Sequence, residues 1–339
     1  MSETMNHPTA SLTRAPVDDP AAWTRETLGG PDALRYRLSG AELDGFRAIL
    51  AKTHSVPPQS ATREDFHHAA LAGLYRHTER ELMGGRGAVV ISGLSQEQFT
   101  AEQFERIFWG IGTQLGTAAV QSAAGDRLGH VRVEDNPKNR GYLSSRELGF
   151  HSDAFELMGL MCVERAERGG LTRLASGLAV HNRILAERPD LLPSLYEGYY
   201  YATAEGANGV RPVTPFRIPV FSEVDGKVSC MCLKAYMSAA ATRLNTVLPD
   251  DLNEALRLFL DIAEREEMKI EFLMSPGEIL LCNNFALLHA RSPFENSTER
   301  ERHMLRLWLR VPDGRKVVPP LLERGNEYER IHLEKIPAE

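Results

Sequence analysis

His151 and Asp153 stand two apart in GFHSDAFE (149–156), immediately after an apolar, strand-like approach. On extended backbone, side chains two apart share a face, so a neutral imidazole and a short carboxylate can grip one cation between them. A turn is the plain alternative, and the tripeptide alone does not separate the two. A third candidate ligand, His289, is delivered by GEILLCNNFALLHARSPF, where a strand runs into an Asn-rich turn. Beyond it, RHMLRLWLR alternates: His303, Leu305, Leu307 and Leu309 take one side, and Arg302, Met304, Arg306, Trp308 and Arg310 the other. Regularly spaced arginines are odd in a sheet covered on both faces. They make sense where that face looks into a cavity that takes anions.

Two histidines and one carboxylate leave coordination positions open for a chelating cosubstrate and O₂, the arrangement of non-haem Fe(II) oxygenases. A guanidinium fork on a neighbouring strand fits the far carboxylate of a dicarboxylic cosubstrate bidentately, and Arg302 is placed for that. Thr172, after the Gly169-Gly170 turn, could add a hydroxyl bond; an ordinary strand start is the other reading. Strand parity turns Arg306 to the same cavity. Gln121, Arg132, Ser144 and Ser145 lie on the approach to His151 and serve either the substrate pocket or the loop. Asn283 and Asn284 read as turn formers, His130, His181 and His303 as structural, and the cysteines as core.

These residues need strands to hold them. GAVVISGL (87–94) is a buried strand between glycines, and further strands fall at LGHVRVE, on both sides of the Gly-Gly turn, at YYYATAE, and in IPVFSEVDGKVSCMCL with its Asp-Gly turn. Helical spacing predicts AELDGFRAILAKTHS capped by Ser39 or Gly40, and TREDFHHAALAGLYRHTERELM as one helix carrying His67, His68 and His77 as surface or packing residues. QEQFERIFWGIGTQLG, GLAVHNRILAERPDLLPSLYEG (broken near Pro189) and PDDLNEALRLFLDIAEREEM are helical too. Many short strands without a βαβ rhythm favour a mainly β fold, a barrel or double-sheet jelly roll, with helices outside. Residues 1–30 read as a loose or surface-draped arm.

The chain has 339 residues, 42% of them hydrophobic, which supports a substantial core. A net charge of −7 without a basic stripe argues against nucleic acid as a partner. The beginning, MSETMNHPTASLTRA, has no apolar leader-like run, and no stretch approaches the roughly 18 apolar residues of a spanning helix, so neither export nor membrane insertion is expected. Cys162, Cys230, Cys232 and Cys282 form no CxxC pair, which fits a reducing cytoplasm. No internal repeat and no glycine-rich phosphate loop are present.

Taken in order, His151-x-Asp153, GGLT, NNFALLHARSPFE and RHMLRLWLR resemble the taurine dioxygenase (TauD/TfdA) and clavaminate synthase-like family of Fe(II)/2-oxoglutarate-dependent oxygenases, over roughly residues 85–320. The resemblance implies a double-stranded β-helix of cupin type. It implies His151, Asp153 and His289 as iron ligands and Thr172 and Arg302 for the C5 carboxylate of 2-oxoglutarate. Arg306 would lie nearer the primary substrate or the C1 carboxylate. One structural domain is expected, with N-terminal arm and helices over 1–85, the catalytic β-helix over 86–320, an insertion around 177–270, and a tail over 321–339. Related iron halogenases carry a small residue at the carboxylate position. With Asp153 present, the resemblance implies hydroxylation, desaturation or ring closure of a small polar metabolite, with O₂ consumed and succinate and CO₂ released; Arg306 suggests that this substrate bears a carboxylate, as an amino acid derivative does. A homo-oligomer is compatible with all of this. The rival from another class is a cupin-like metal-binding protein, sensor or isomerase, without 2-oxoglutarate turnover; a bidentate carboxylate anchor at Arg302 would have no purpose there.

Overall fold

The computed structural model describes residues 12–122, 124–134, 143–203 and 211–333. The strands are β1 (Arg35–Arg37), β2 (Ala88–Ser92), β3 (Thr117–Ala118), β4 (Leu128–Val131), β5 (Leu148–His151), β6 (Leu157–Glu164), β7 (Arg168–Gly169), β8 (Thr172–Ser176), β9 (Phe221–Val224), β10 (Lys227–Cys230), β11 (Lys269–Phe272), β12 (Ile279–Asn283), β13 (Leu287–Arg291), β14 (Phe294–Glu295) and β15 (His303–Arg310). A larger sheet runs β1-β2-β12-β6-β15-β3, with β4 also on β15. A smaller sheet runs β11-β8-β13-β5. Every pairing within the two sheets is antiparallel except β1 with β2.

The larger sheet is buried on both faces, and its alternation shows where each face goes. Met158, Leu280, Cys282, Met304 and Trp308 share an apolar cluster with Leu174 of the smaller sheet, which pairs with His289 and shares its face between the two sheets, while Leu288 and Ala290 take the opposite face of β13. Met161, Leu281, Leu305, Leu307 and Leu309 face the other way. They pack under α2 (Gly40–Thr53) and α4 (Ala101–Leu115), which contribute Phe46, Phe104, Ile107, Phe108 and Ile111. Both helices begin in capping boxes, Ser39 with Glu42 and Thr100 with Gln103. Between β8 and β11 the chain inserts α5 (Gly177–Glu187), α6 (Leu192–Glu197), α7 (Lys234–Arg243), α8 (Asp250–Ala263) and the β9–β10 hairpin. That hairpin turns on Asp225 and Gly226, both at positive φ, as an Asp-Gly turn requires.

The structure departs from the sequence reading in four places. Residues 62–83 are not one helix: turns of 3₁₀ helix at Glu64–Phe66 and Ala69–Leu71 precede α3 (Ala72–Met83). His68 sits in the break, where its Nδ1 accepts the Ala70 N–H, and Phe66 is buried under Gly110. Local side-chain capping and one large aromatic anchor overrode the helical spacing. The expected loose arm is packed from Leu12 onward: Trp23 is buried with its Nε1 bonded to the Arg86 carbonyl at 2.8 Å, just before α1 (Arg25–Leu28); residues 1–11 lie outside the described ones. Of YYYATAE, the described residues 199–203 form isolated bridges, Tyr199 with Ile218 and Ala202 with Val213, and 204–205 lie outside the described residues. Residues 321–333, read as tail, belong to α9 (Pro319–Leu333); 334–339 lie outside the described residues.

Helix α9 is docked by a glycine. A methyl group at Gly325 would stand 2.7 Å from the Ala154 carbonyl and 3.2 Å from the Phe155 ring, against the backbone that follows Asp153. Gly325→Ala is therefore expected to cost about 1–3 kcal/mol through overpacking, seen as a lower melting temperature; retained stability would show that α9 does not press on the backbone that follows Asp153.

Candidate active site

His289 lies on β13 and His151 ends β5, and the antiparallel register makes them direct partners. Their rings approach to 4.2 Å between centroids, tilted by 54°. Asp153, one step past the end of β5, completes the group: one ligand atom from each of the three residues falls within 4.8 Å of the others. Among the described residues no other cluster of His, Cys, Asp and Glu meets that geometry.

Two of the three candidate ligands, His151 and Asp153, are oriented by neighbours, while the Nδ1 of His289 is buried without a partner among the described residues. His151 Nδ1 meets the Gly149 carbonyl at 2.9 Å, which commits that nitrogen and leaves Nε2 for a cation. The Asp153 backbone N–H donates to Asn284 Oδ1 at 3.3 Å, and Asn284 Nδ2 donates to the Phe155 carbonyl at 2.8 Å. Trp308 Nε1 donates to Asp153 Oδ2 at 2.7 Å, crossing from the larger sheet to the smaller one. His289 Nε2 lies 3.5 Å from the same oxygen.

The electrostatics suit a divalent cation. Desolvation, with His289 and Arg306 adding to it, pushes His151 down to about 4, so its imidazole is neutral near pH 7. Burial works against ionisation of Asp153, yet the two histidines and Arg306 outweigh it and hold the carboxyl well below the usual range. A neutral imidazole beside an ionised carboxylate is the state that metal binding demands, and the mixed nitrogen and oxygen donors fit Fe(II). The thiol of Cys282, buried and close enough to feel the Asp153 charge, is pushed up and stays protonated.

Arg302 and Thr172 line one small pocket with Cys162, Gly170 and Met304. The Arg302 guanidinium is buried, backed by the Phe294 ring at 5.2 Å, and makes no side-chain hydrogen bond or ion pair among the described residues. Arg291 flanks the same ring at 4.7 Å. Burial lowers both arginines to about 10, and Arg302 adds to the shift of Arg291. Arg306 stacks 4.0 Å from the Trp308 ring and donates from Nε to Gln121 Oε1 at 2.7 Å, while Gln121 Nε2 returns to the Arg306 carbonyl. Strand parity thus turns the arginines and Trp308 inward.

Several neighbours play parts that their spacing does not announce. Gln121 holds Arg306; Ser144 and Ser145 supply backbone carbonyls, to Arg291 and to the Phe294 N–H. Arg132 and His130 both meet His303, away from the ligand cluster. His181 is buried against Tyr196 and Phe221. Asn284 is more than a turn former, since it fixes the backbone of Asp153. Trp308 and Tyr328, whose ring packs against Trp308 at 5.5 Å, were not legible as site residues; the inward parity of β15 was the available signal for Trp308.

Residues 53–308 match the model of the taurine catabolism dioxygenase TauD, TfdA family. The chain belongs to this family. Its members are dioxygenases that use Fe(II), 2-oxoglutarate and O₂, so this dioxygenase turns over 2-oxoglutarate and the metal-binding rival without turnover is set aside. The dioxygenase is similar to FR-33289 synthase of Streptomyces rubellomurinus, 29% identical over 90% of this chain and 93% of the relative. A taurine hydroxylase-like protein of Stachybotrys chartarum is 30% identical over 86% of this chain and 79% of its own length. Asparagine oxygenase, solved with Fe(II), 3-hydroxyasparagine and succinate, shares the fold at TM-score 0.65 and 18% identity, over 81% of this chain and 93% of that one. The iron oxygenase OrfP, solved with Fe and α-ketoglutaric acid, does so at TM-score 0.59 and 14% identity, over 81% and 94%. No helix among the described residues is long and apolar enough to cross a membrane.

Two outcomes follow from the site. Trp308→Phe keeps an aromatic ring against Phe155 but deletes the N–H to Asp153, and is expected to weaken Fe(II) binding about 10- to 100-fold in a metal titration while the melting temperature moves little. In the metal-free protein, His151 takes up its proton near 4 when folded and near 6.5 when unfolded. The unfolded chain therefore binds more protons between these values, and stability falls as pH drops from about 6.5 towards about 4. His151→Gln should flatten that slope in melting curves; an unchanged slope would refute the assignment.

Proposed function

We propose that this dioxygenase holds Fe(II) through His151, Asp153 and His289, anchors 2-oxoglutarate at Arg302 and Thr172, and hydroxylates a small metabolite bearing an acidic group that faces Arg306. The observation that carries this reading is the pairing of a three-residue cluster of metal-ligand geometry with a buried guanidinium that lacks any acceptor among the described residues, both inside the space between the sheets. A buried, unpaired cation is costly, and an incoming dicarboxylate supplies the missing partner.

When bound, iron activates O₂ for coupled decarboxylation of 2-oxoglutarate and oxidation of the substrate. The protein's residues do the rest. Arg302 and Thr172 fix the far end of the cosubstrate, so that its keto acid end turns toward the metal ligands. Trp308 and Asn284 hold Asp153 in one orientation, and the Gly149 carbonyl holds His151. Gln121 and the Trp308 ring hold Arg306 where an acidic substrate group would meet it. The apolar cluster around them keeps bulk water from the reacting centre. Support for an amino acid-like substrate comes from the structural neighbours: asparagine oxygenase was solved with hydroxyasparagine and OrfP with hydroxyarginine.

Anaerobic addition of Fe(II) and 2-oxoglutarate should give a weak visible charge-transfer band, and small acidic metabolites should stimulate succinate release. Asp153→Ala is expected to abolish both. Arg302→Gln should weaken 2-oxoglutarate about 10- to 100-fold, the scale of a lost hydrogen bond to a charged group, while Fe(II) affinity is retained. Full turnover by the Asp153→Ala protein would refute the ligand assignment.

A further inference from the structure

Five arginines are buried among the described residues: Arg106, Arg291, Arg302, Arg306 and Arg324. Three of them are hydrogen-bonded within the protein, although the Nε of Arg291 is itself sealed without a partner among the described residues. Arg106 bonds to the Thr53 and Val56 carbonyls, Arg291 to the Ser144 and Arg146 carbonyls, and Arg306 to Gln121. Arg302 and Arg324 make no side-chain hydrogen bond and no ion pair among the described residues. Arg302 already has an assigned anion in the reading above. Arg324 has none.

Arg324 projects from α9 and is 4% exposed. Its guanidinium carbon lies 5.2 Å from the Tyr236 ring centroid, 5.6 Å from Tyr328 and 5.7 Å from Tyr201. Rings compensate part of the desolvation of a cation but accept none of its in-plane N–H bonds. Its Nε is sealed from solvent without a partner. Glu327, one turn on, feels the Arg324 charge but forms no ion pair with it, and one of its own oxygens is likewise sealed without a partner. The position of this group is informative. Tyr328 also meets the Trp308 ring at 5.5 Å, and the Trp308 N–H is bonded to Asp153, so two rings, Tyr328 and Trp308, stand between Arg324 and the ligand cluster. Gly325 beside it is pressed against Ala154.

We infer that Arg324, with Tyr201, Tyr236 and Tyr328 around it, is a second anchor for the primary substrate and takes an oxyanion at the end of that molecule remote from the iron. The guanidinium fork supplies paired N–H donors for a carboxylate or a phosphorus oxyanion, and the tyrosine rings exclude water from the bond. This deepens the proposed function, on which it rests, and makes the substrate class a small molecule with an anionic group at each end: one facing Arg306, one facing Arg324.

The test uses the full-length protein saturated with Mn(II) and 2-oxoglutarate, so that the Arg302 anchor is filled. Acetate and methylphosphonate are titrated separately and followed by intrinsic tyrosine and tryptophan fluorescence, which distinguishes the two oxyanion classes. Saturable binding of at least one is expected in the wild type. Arg324→Gln should weaken it about 10- to 100-fold, Arg324→Lys should restore part of the loss, and Arg330→Gln, on an exposed position of the same helix, should leave it unchanged. Circular dichroism melts establish that each variant is folded; if Arg324→Gln is not, the comparison of Arg324→Lys with wild type decides, since a point charge without the fork should still bind several-fold more weakly. No saturation by either anion in the wild type, or equal binding in the Arg324 variants, overturns the inference. Failure of the wild type to bind 2-oxoglutarate would instead overturn the reading of the site itself, so the two failures are distinct.

Discussion

A single cross-strand register, His289 opposite His151 on antiparallel β13 and β5, is the constraint on which the rest of the site depends. Side chains directly opposite on an antiparallel pair are as close as sheet geometry allows, and a slip of one residue would turn His289 to the other face. The register is held on the far side as well, because β13 is sandwiched between β5 and β8, with His289 opposite Leu174 and Arg291 opposite Thr172. One strand therefore places a metal-ligand candidate and, two residues on, the guanidinium that flanks the cosubstrate pocket.

The second requirement is that the two sheets face each other at a fixed distance. Trp308 spans that gap with one hydrogen bond to Asp153, and its ring is packed by Arg306, Phe155 and Tyr328. The larger sheet can serve this way because its outer face is sealed by α2 and α4, which leaves its inner face free to carry arginines and a tryptophan. Fold and site are thus coupled through packing: whatever moves β15 moves the orientation of a carboxylate on the opposite sheet.

The chemistry was more legible in the sequence than the scaffolding. Alternation along RHMLRLWLR put Arg302, Arg306 and Trp308 on one face, because a strand's period of two survives wherever both faces are buried against different partners. His151, Asp153 and His289 were visible as types and order, although only the register shows that they converge. Helical spacing failed at 62–83, where a histidine cap and the burial of Phe66 beneath Gly110 interrupt an otherwise periodic stretch. The parts of Gln121, Asn284 and Tyr328 were hidden for a different reason: each acts through a contact more than a hundred residues away in the chain, which no local pattern records. Helix α9 was missed because its use is steric, resting on the absence of a side chain at Gly325.

Cys282 shows how the buried surroundings of Asp153 treat a potential donor. It neighbours the ligand cluster, and a thiolate there would be a soft donor that draws zinc or copper in preference to iron. Burial and the adjoining negative charge keep the sulfur in its protonated, weakly coordinating form. Burial first, and the charge of Asp153 second, thus keep Cys282 an apolar wall of the cavity beside the three candidate ligands instead of a fourth member of their set.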